Sequence, residues 1–170
     1  MNTENKSHTP IEIRDSWSTP QAIFDNLHKE FNFTLDVAAS DLNHKCDGYF
    51  TENDDALRQN WDGVIWCNPP YSEIPKWTQK ASVEAFTNDA KIVMLVPSDT
   101  SVKWFKDAWL ECSEIRFISG RISFINAATG KAVAGNNKGS VLLIWDGFDG
   151  GCGTPSVSLV NRDDLLLESK

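Results

Sequence analysis

An open α/β sheet, mixed but mostly parallel and with helices on both faces, is the fold class that this sequence predicts. Three observations point to it: short apolar runs rich in β-branched and aromatic residues, helical segments of amphipathic period between them, and turn-forming residues at each change of period. A chain of 170 residues with 41% hydrophobic content fits one compact domain with its own core.

The elements follow in order. Thr19 as N-cap and Pro20 at the first helical position begin a helix in which Ile23, Leu27 and Phe31 recur at four-residue spacing. Residues 33–37 read as the first strand, and 64–67, Val-Ile-Trp-Cys, as a second. Ile74-Pro75-Lys76-Trp77 leads into a helix through Phe86, with Pro75 near its first turn. Residues 92–96 form a buried strand ended by Pro97, 102–110 a Trp-rich helix, and 115–118 and 141–145 complete the sheet. The expected layout is a flexible N-terminal segment over 1–14, a domain over 15–148 and a loosely held tail over 149–170, where Gly, Ser and Asp surround one apolar run at 157–160.

Composition excludes several classes. The first ten residues are polar and no apolar run approaches membrane-spanning length, so a cytoplasmic protein without a membrane partner is expected. Cys46, Cys67, Cys112 and Cys152 lack a Cys-x-x-Cys pair, which argues against a disulfide framework and a zinc ribbon; no metal site is expected. A net charge of −8 is unlike that of a tight nonspecific DNA binder. The stretch from Arg121 to Lys138 nevertheless holds Lys131 and no acid, and is a candidate DNA-facing surface or a solvated loop.

The most informative segment is Asn68-Pro69-Pro70-Tyr71, placed where the 64–67 strand ends. This tetrapeptide suits methylation of an exocyclic amine, whose lone pair is delocalised into an aromatic ring. The Asn68 side-chain carbonyl and the Pro69 backbone carbonyl each accept one N–H bond and so localise that lone pair, provided both are preorganised. Pro69 and Pro70 fix φ and remove two competing donors. Tyr71 offers a flat face for stacking a base. The plainer reading is a turn in which Tyr71 covers the core edge.

The chain resembles the phage and prophage DNA N6-adenine methyltransferases. Trp17-Ser18-Thr19-Pro20, Leu35-Asp36-Val37-Ala38-Ala39-Ser40, Asp55-Ala56-Leu57, the Asn68–Tyr71 tetrapeptide, Leu95-Val96-Pro97 and Gly120-Arg121-Ile122-Ser123-Phe124 occur in that family's order. The resemblance implies a single-domain, Rossmann-like, S-adenosylmethionine-dependent methyltransferase fold acting on double-stranded DNA, in the host cytoplasm if phage-encoded, with GATC as the target. It implies cofactor contacts from Trp17, Thr19, Pro20, Asp36, Ala38, Ala39, Asp55, Ala56, Leu57 and Asn68. Ala38, Ala39 and Ser40 stand where many methyltransferases have glycine. Asp54 competes with Asp55 for the cofactor adenine, and Asp41, Asp47, Glu52 and Asp54 compete for its ribose.

On the substrate side the resemblance implies attack by the adenine amine on the cofactor methyl after the base is turned out of the duplex. Tyr71 stacks one face and Phe124 is a candidate for the other; Arg121 contacts phosphate or pairs with an acid. The chain leaves no room for a separate recognition domain, so sequence reading falls to 72–77 and to 126–138, where Asn136 and Asn137 carry amides that suit adenine edges and Lys131 and Lys138 suit phosphate. Two other readings stay open: a methyltransferase for RNA or protein glutamine with the same amine pocket, and a cofactor-free DNA- or protein-binding module. Oligomeric state is not legible.

Overall fold

The structure is a computed structural model describing residues 15–133, 136–147 and 153–167. The expected flexible segment 1–14 lies outside those residues, as do Cys152 and the first residues of the expected tail.

Among the described residues the chain builds these strands and helices: β1 (Trp17–Ser18), α1 (Gln21–Phe31), β2 (Leu35–Asp36), β3 (Gly48–Tyr49), β4 (Val64–Cys67), α2 (Ile74–Asn88), β5 (Lys91–Pro97), α3 (Lys103–Glu111), β6 (Glu114–Ser119), β7 (Ile125–Asn126), β8 (Ser140–Asp146), β9 (Ser156–Asn161) and α4 (Arg162–Leu166). Short 3₁₀ turns at Glu52–Asp54 and Ala56–Arg58 follow β3.

Seven strands form one sheet in the order β3-β2-β4-β5-β8-β6-β9. All run the same way except β8, which is antiparallel to both β5 and β6. This is a Rossmann-like architecture. The chain steps from β2 outward to β3, then back across β2 to β4. The carboxyl ends of β2 and β4 therefore lie side by side at the reversal, where ligands of open α/β sheets bind. A separate antiparallel pair joins β1 to β7, matching Trp17 with Asn126 and Ser18 with Ile125.

Strand side chains alternate between faces, so each central strand feeds two cores. Ile65, Cys67, Ile92, Met94 and Val96 pack with Trp61, Trp77 and Ala81 under α2 and α3. Trp66, Val93, Leu95, Leu142 and Ile144 pack with Ile23, Phe24 and Leu27 of α1 on the other face. A strand buried on both sides loses polar/apolar alternation, which is why β5 and β8 read as continuous apolar runs.

Two details differ from the sequence expectation. Pro20, not Thr19, occupies the N-cap of α1, with an extended ψ of 136°, and no side chain caps the helix. Residues 156–166 are not a loose tail. β9 pairs in parallel with β6 along six residues from Ser156 to Asn161, and the Asn26 amide reaches the carbonyls of Leu165 (2.8 Å) and Leu167 (3.0 Å). Its strand is exposed on nearly every residue, so burial patterning gave no sign of the pairing.

Candidate active site

The tetrapeptide begins directly after β4, and its first residue is held from a distant part of the chain. Asn68 Nδ2 donates to the backbone carbonyl of Trp17 at 2.9 Å. That bond fixes which end of the amide is which, and it leaves Asn68 Oδ1 buried with no partner. Pro69 is buried, and its carbonyl receives no hydrogen bond among the described residues, whereas Pro70 O accepts from the Glu73 N–H at 3.1 Å and starts the turn into α2. Asp15 clasps the next residue, accepting from Ser72 N (3.1 Å) and Ser72 Oγ (2.6 Å). The result is a rigid carbonyl-lined corner.

Trp17, Tyr71 and Phe124 form an aromatic trio beside it. Trp17 and Phe124 stack at 5.4 Å and 15°, and Tyr71 stands nearly perpendicular to both, at 6.0 Å and 76° from Trp17 and at 6.1 Å and 89° from Phe124. Phe124 is buried against Trp17; Tyr71 is half-buried, with its hydroxyl enclosed and unpartnered. Burial pushes that phenol well above its ordinary range.

A narrow pocket opens at the β2/β4 reversal, lined by Trp17, Thr19, Asp36, Lys45 and Asn68, with Ser18, Ala38, Asn43 and Trp66 completing the wall. Trp17 Nε1, Thr19 Oγ1 and Asn68 Oδ1 are all buried without a partner. Buried orphaned polar groups are costly, so three around one pocket mark a place built to receive a polar ligand.

Asp36, 3% exposed, accepts from the backbone N–H of Ala38 (3.3 Å) and of Lys45 (3.0 Å). Burial raises its carboxyl to about 6, against the opposing pull of these N–H groups, Lys45 and His44. The loop after β2 needs no glycine. None of Ala38, Ala39 and Ser40 has positive φ, and the loop is stapled by Ala39 N to Phe50 O (3.0 Å) and Ser40 N to Asn43 Oδ1 (2.7 Å).

Past the carboxyl end of β3, Asp54 is committed to the local turn, accepting from Thr51 N and Oγ1, both at 2.7 Å. Asp55 sits beyond it at φ 50° and pairs with Arg58 at 3.0 Å, ahead of buried Ala56 and half-buried Leu57. Of the acids competing for a ribose, Asp41 accepts from Tyr49 OH at 3.0 Å and Asp47 precedes β3, at its amino end. Glu52 follows the carboxyl end of β3 with no side-chain partner among the described residues.

The supposed recognition loops are partly committed. Residues 74–77 are the first turn of α2. Asn136 donates to Ile122 O (3.1 Å) and accepts from Lys138 N (3.2 Å), so its amide shapes the loop. Lys138 bonds Asp99 at 3.0 Å, and hydrogen bonds from Ser101, together with Lys138, hold that acid at about 2. Arg121, Lys131 and Asn137 are exposed. The thiols of Cys46 and Cys112 are pushed up to about 12 by burial, and that of buried Cys67 also rises. No cluster able to hold a metal ion occurs among the described residues, and no helix there is long and apolar enough to cross a membrane.

Sequence reasoning missed Ser18, Asn43, Lys45 and Trp66 in the pocket wall, and Asp15 on Ser72. Ser18 lies within the Trp17–Pro20 motif but was not singled out, and no short motif carries the others. Lys45 alone had a signal, as one cation among acids after the first strand.

The chain is similar to known proteins over most of its length. The DNA N-6-adenine-methyltransferase of Escherichia phage T1 is 36% identical over 156 residues, covering 81% of this chain and 65% of the phage protein, so the chain spans just under two thirds of that relative. The DNA N-6-adenine-methyltransferase of Haemophilus phage HP1 is 34% identical over 145 residues, covering 83% of this chain and 84% of the relative. The model of the family described as DNA N-6-adenine-methyltransferase (Dam) matches residues 6–170, and the chain belongs to that family.

Proposed function

We propose that this protein methylates the N6 amine of adenine in double-stranded DNA, with S-adenosylmethionine as methyl donor and a GATC target, in the host cytoplasm. The observation that carries the reading is the Asn68 amide, turned so that its carbonyl is buried, fixed and unpartnered. When bound, the donor supplies an electrophilic methyl on sulfonium. The pocket residues fit such a polar ligand, since Trp17 Nε1 and Thr19 Oγ1 are orphaned there beside the Asp36 carboxyl.

In this reading Asn68 Oδ1 and Pro69 O accept the two amine hydrogens, pulling the nitrogen toward tetrahedral geometry. Because the bond to Trp17 already orients the amide, no reorganisation is needed at the moment of transfer. The base must first leave the duplex, at a cost of a few kcal/mol that pocket contacts offset; transfer would then form the N–CH3 bond as the donor's S–CH3 bond breaks, releasing the thioether and, to solvent, one amine proton. Tyr71, braced by Trp17 and Phe124, presents the ring on which the extruded base stacks. Asp36, Ala38 and Ala39 face the cofactor's amino-acid end, Asp55, Ala56 and Leu57 its adenine, and Glu52 its ribose. Exposed Arg121, Lys131 and Asn137, with Lys138, form the DNA-facing edge.

The charge of −8 favours a second reading, transfer to RNA or protein glutamine through the same pocket. Incubation with methyl-labelled S-adenosylmethionine and duplex DNA, RNA or cell extract separates the two. Label in adenine of duplex DNA supports the proposal; label only in RNA or protein overturns it.

A further inference from the structure

The pocket holds one cation that the reading above leaves unused. Lys45 reaches it from the loop between β2 and β3, and its backbone N–H is already bonded to Asp36 at 3.0 Å. Its ammonium donates to Gln21 Oε1 at 2.8 Å, a neutral partner that satisfies only one of three donors. Gln21 in turn donates to Asp25 at 2.7 Å. A cation and an anion therefore line one narrow site, and among the described residues neither makes a direct ion pair. The remaining unpartnered donors in the wall are Trp17 Nε1 and Thr19 Oγ1.

A zwitterion satisfies this arrangement. We propose that Lys45 is the counter-ion for the α-carboxylate of the cofactor, with Trp17 Nε1 and Thr19 Oγ1 as its neutral donors and Asp36 as the acceptor for the α-ammonium. The inference rests on the cofactor reading above and deepens it, because it makes the pocket specific for the amino-acid end of the ligand. Burial lowers the Lys45 ammonium, and the nearby Asp36 and Asp25 carboxyls oppose that shift. The four-carbon stem lets the head swing from Gln21 to a ligand without moving the loop.

Two ligands separate this proposal from the reading on which it rests. S-adenosylhomocysteine carries the amino-acid end; 5′-methylthioadenosine has the same adenosine and thioether without it. Calorimetric titration of the full chain, wild type, Lys45→Met and Lys45→Arg, with both compounds is the experiment. The methionine variant is expected to lose about tenfold or more in affinity for S-adenosylhomocysteine, to bind 5′-methylthioadenosine as wild type does, and to be largely restored by arginine. Equal weakening toward both compounds would make Lys45 a structural residue of the loop and overturn the proposal. Unchanged affinity for S-adenosylhomocysteine in Lys45→Met also overturns it, with the cofactor reading intact. Wild type binding neither compound removes the cofactor reading itself.

Discussion

Asn68 and Trp17 are joined by one hydrogen bond of 2.9 Å that decides the polarity of the whole site, since the amide that donates to Trp17 O must present its carbonyl to the opposite side. Asn68→Ala removes a preorganised acceptor and is expected to lower turnover on the order of a hundredfold while S-adenosylmethionine affinity, measured by calorimetry, is nearly kept. Asn68→Asp keeps an acceptor but loses the donor to Trp17 and faces a carbonyl with a carboxylate, so its turnover falls between the two. Near-normal turnover in Asn68→Ala contradicts the assignment.

Asp36 makes the protein's stability depend on pH. Its folded carboxyl titrates at about 6, above the ordinary 3.8, so the charged form is disfavoured by folding. The cost is absent below about pH 4, grows as pH rises through 6, and reaches on the order of 3 kcal/mol above that. Asp36→Asn should therefore flatten the fall in melting temperature between pH 4 and 7, while its NH2 opposes the Ala38 or Lys45 N–H and weakens S-adenosylmethionine binding. A variant whose melting temperature follows the wild-type pH profile refutes this.

Tyr71→Phe removes a buried hydroxyl that has no partner, and is expected to keep activity and to leave stability unchanged or raise it by about 1 kcal/mol. Tyr71→Ala loses the ring that stacks the base, worth roughly 1–3 kcal/mol in DNA affinity. With 2-aminopurine at the target position, wild type and Phe should raise fluorescence and Ala should not. Equal activity in Phe and Ala returns Tyr71 to a residue that covers the core.

Glu84 tests the far side of the molecule. Its side chain is buried on α2, accepts from Trp61 N at 2.9 Å and pairs with Lys80 and Asn88. Burial raises its carboxyl, but Lys80, the Trp61 N–H and Asn88 outweigh burial and hold it below the usual range. Its stabilisation is present at neutral pH and is lost as pH falls through that lowered value. Glu84→Ala strands Lys80 and the Trp61 N–H and should cost about 2–4 kcal/mol in urea unfolding at pH 7, with normal cofactor affinity in the folded fraction. A loss below about 0.5 kcal/mol would show the network to be idle.

The sheet was legible because its central strands are buried on both faces, so 64–67, 92–96 and 141–145 stand out as apolar runs with no polar interruption. β9 was not, since Ser156–Asn161 packs few side chains and owes its place to backbone bonds with β6. Thr19 carried the composition of a cap, yet Pro20 takes that position and the threonine hydroxyl points into the pocket wall unpaired. The tetrapeptide was readable as a string; the bond that orients it was not, because Trp17 lies far from Asn68 in sequence. Glycine was missed only by analogy, as the loop after Asp36 keeps negative φ at Ala38, Ala39 and Ser40.

The pairing of β1 with β7 also sets an order of events during synthesis. A nascent chain that has emerged as far as Tyr71 already carries the whole tetrapeptide, but the partner of Trp17 and Ser18 is Ile125–Asn126, still inside the ribosome. Phe124, which stacks on Trp17, is missing at the same stage. Closing that long loop must wait until the chain has been made through β6 and β7, and distant closures are entropically slow. The Asn68–Tyr71 corner is thus complete only once β7 has been made, and a chain cut short of Phe124 lacks the ring that stacks on Trp17.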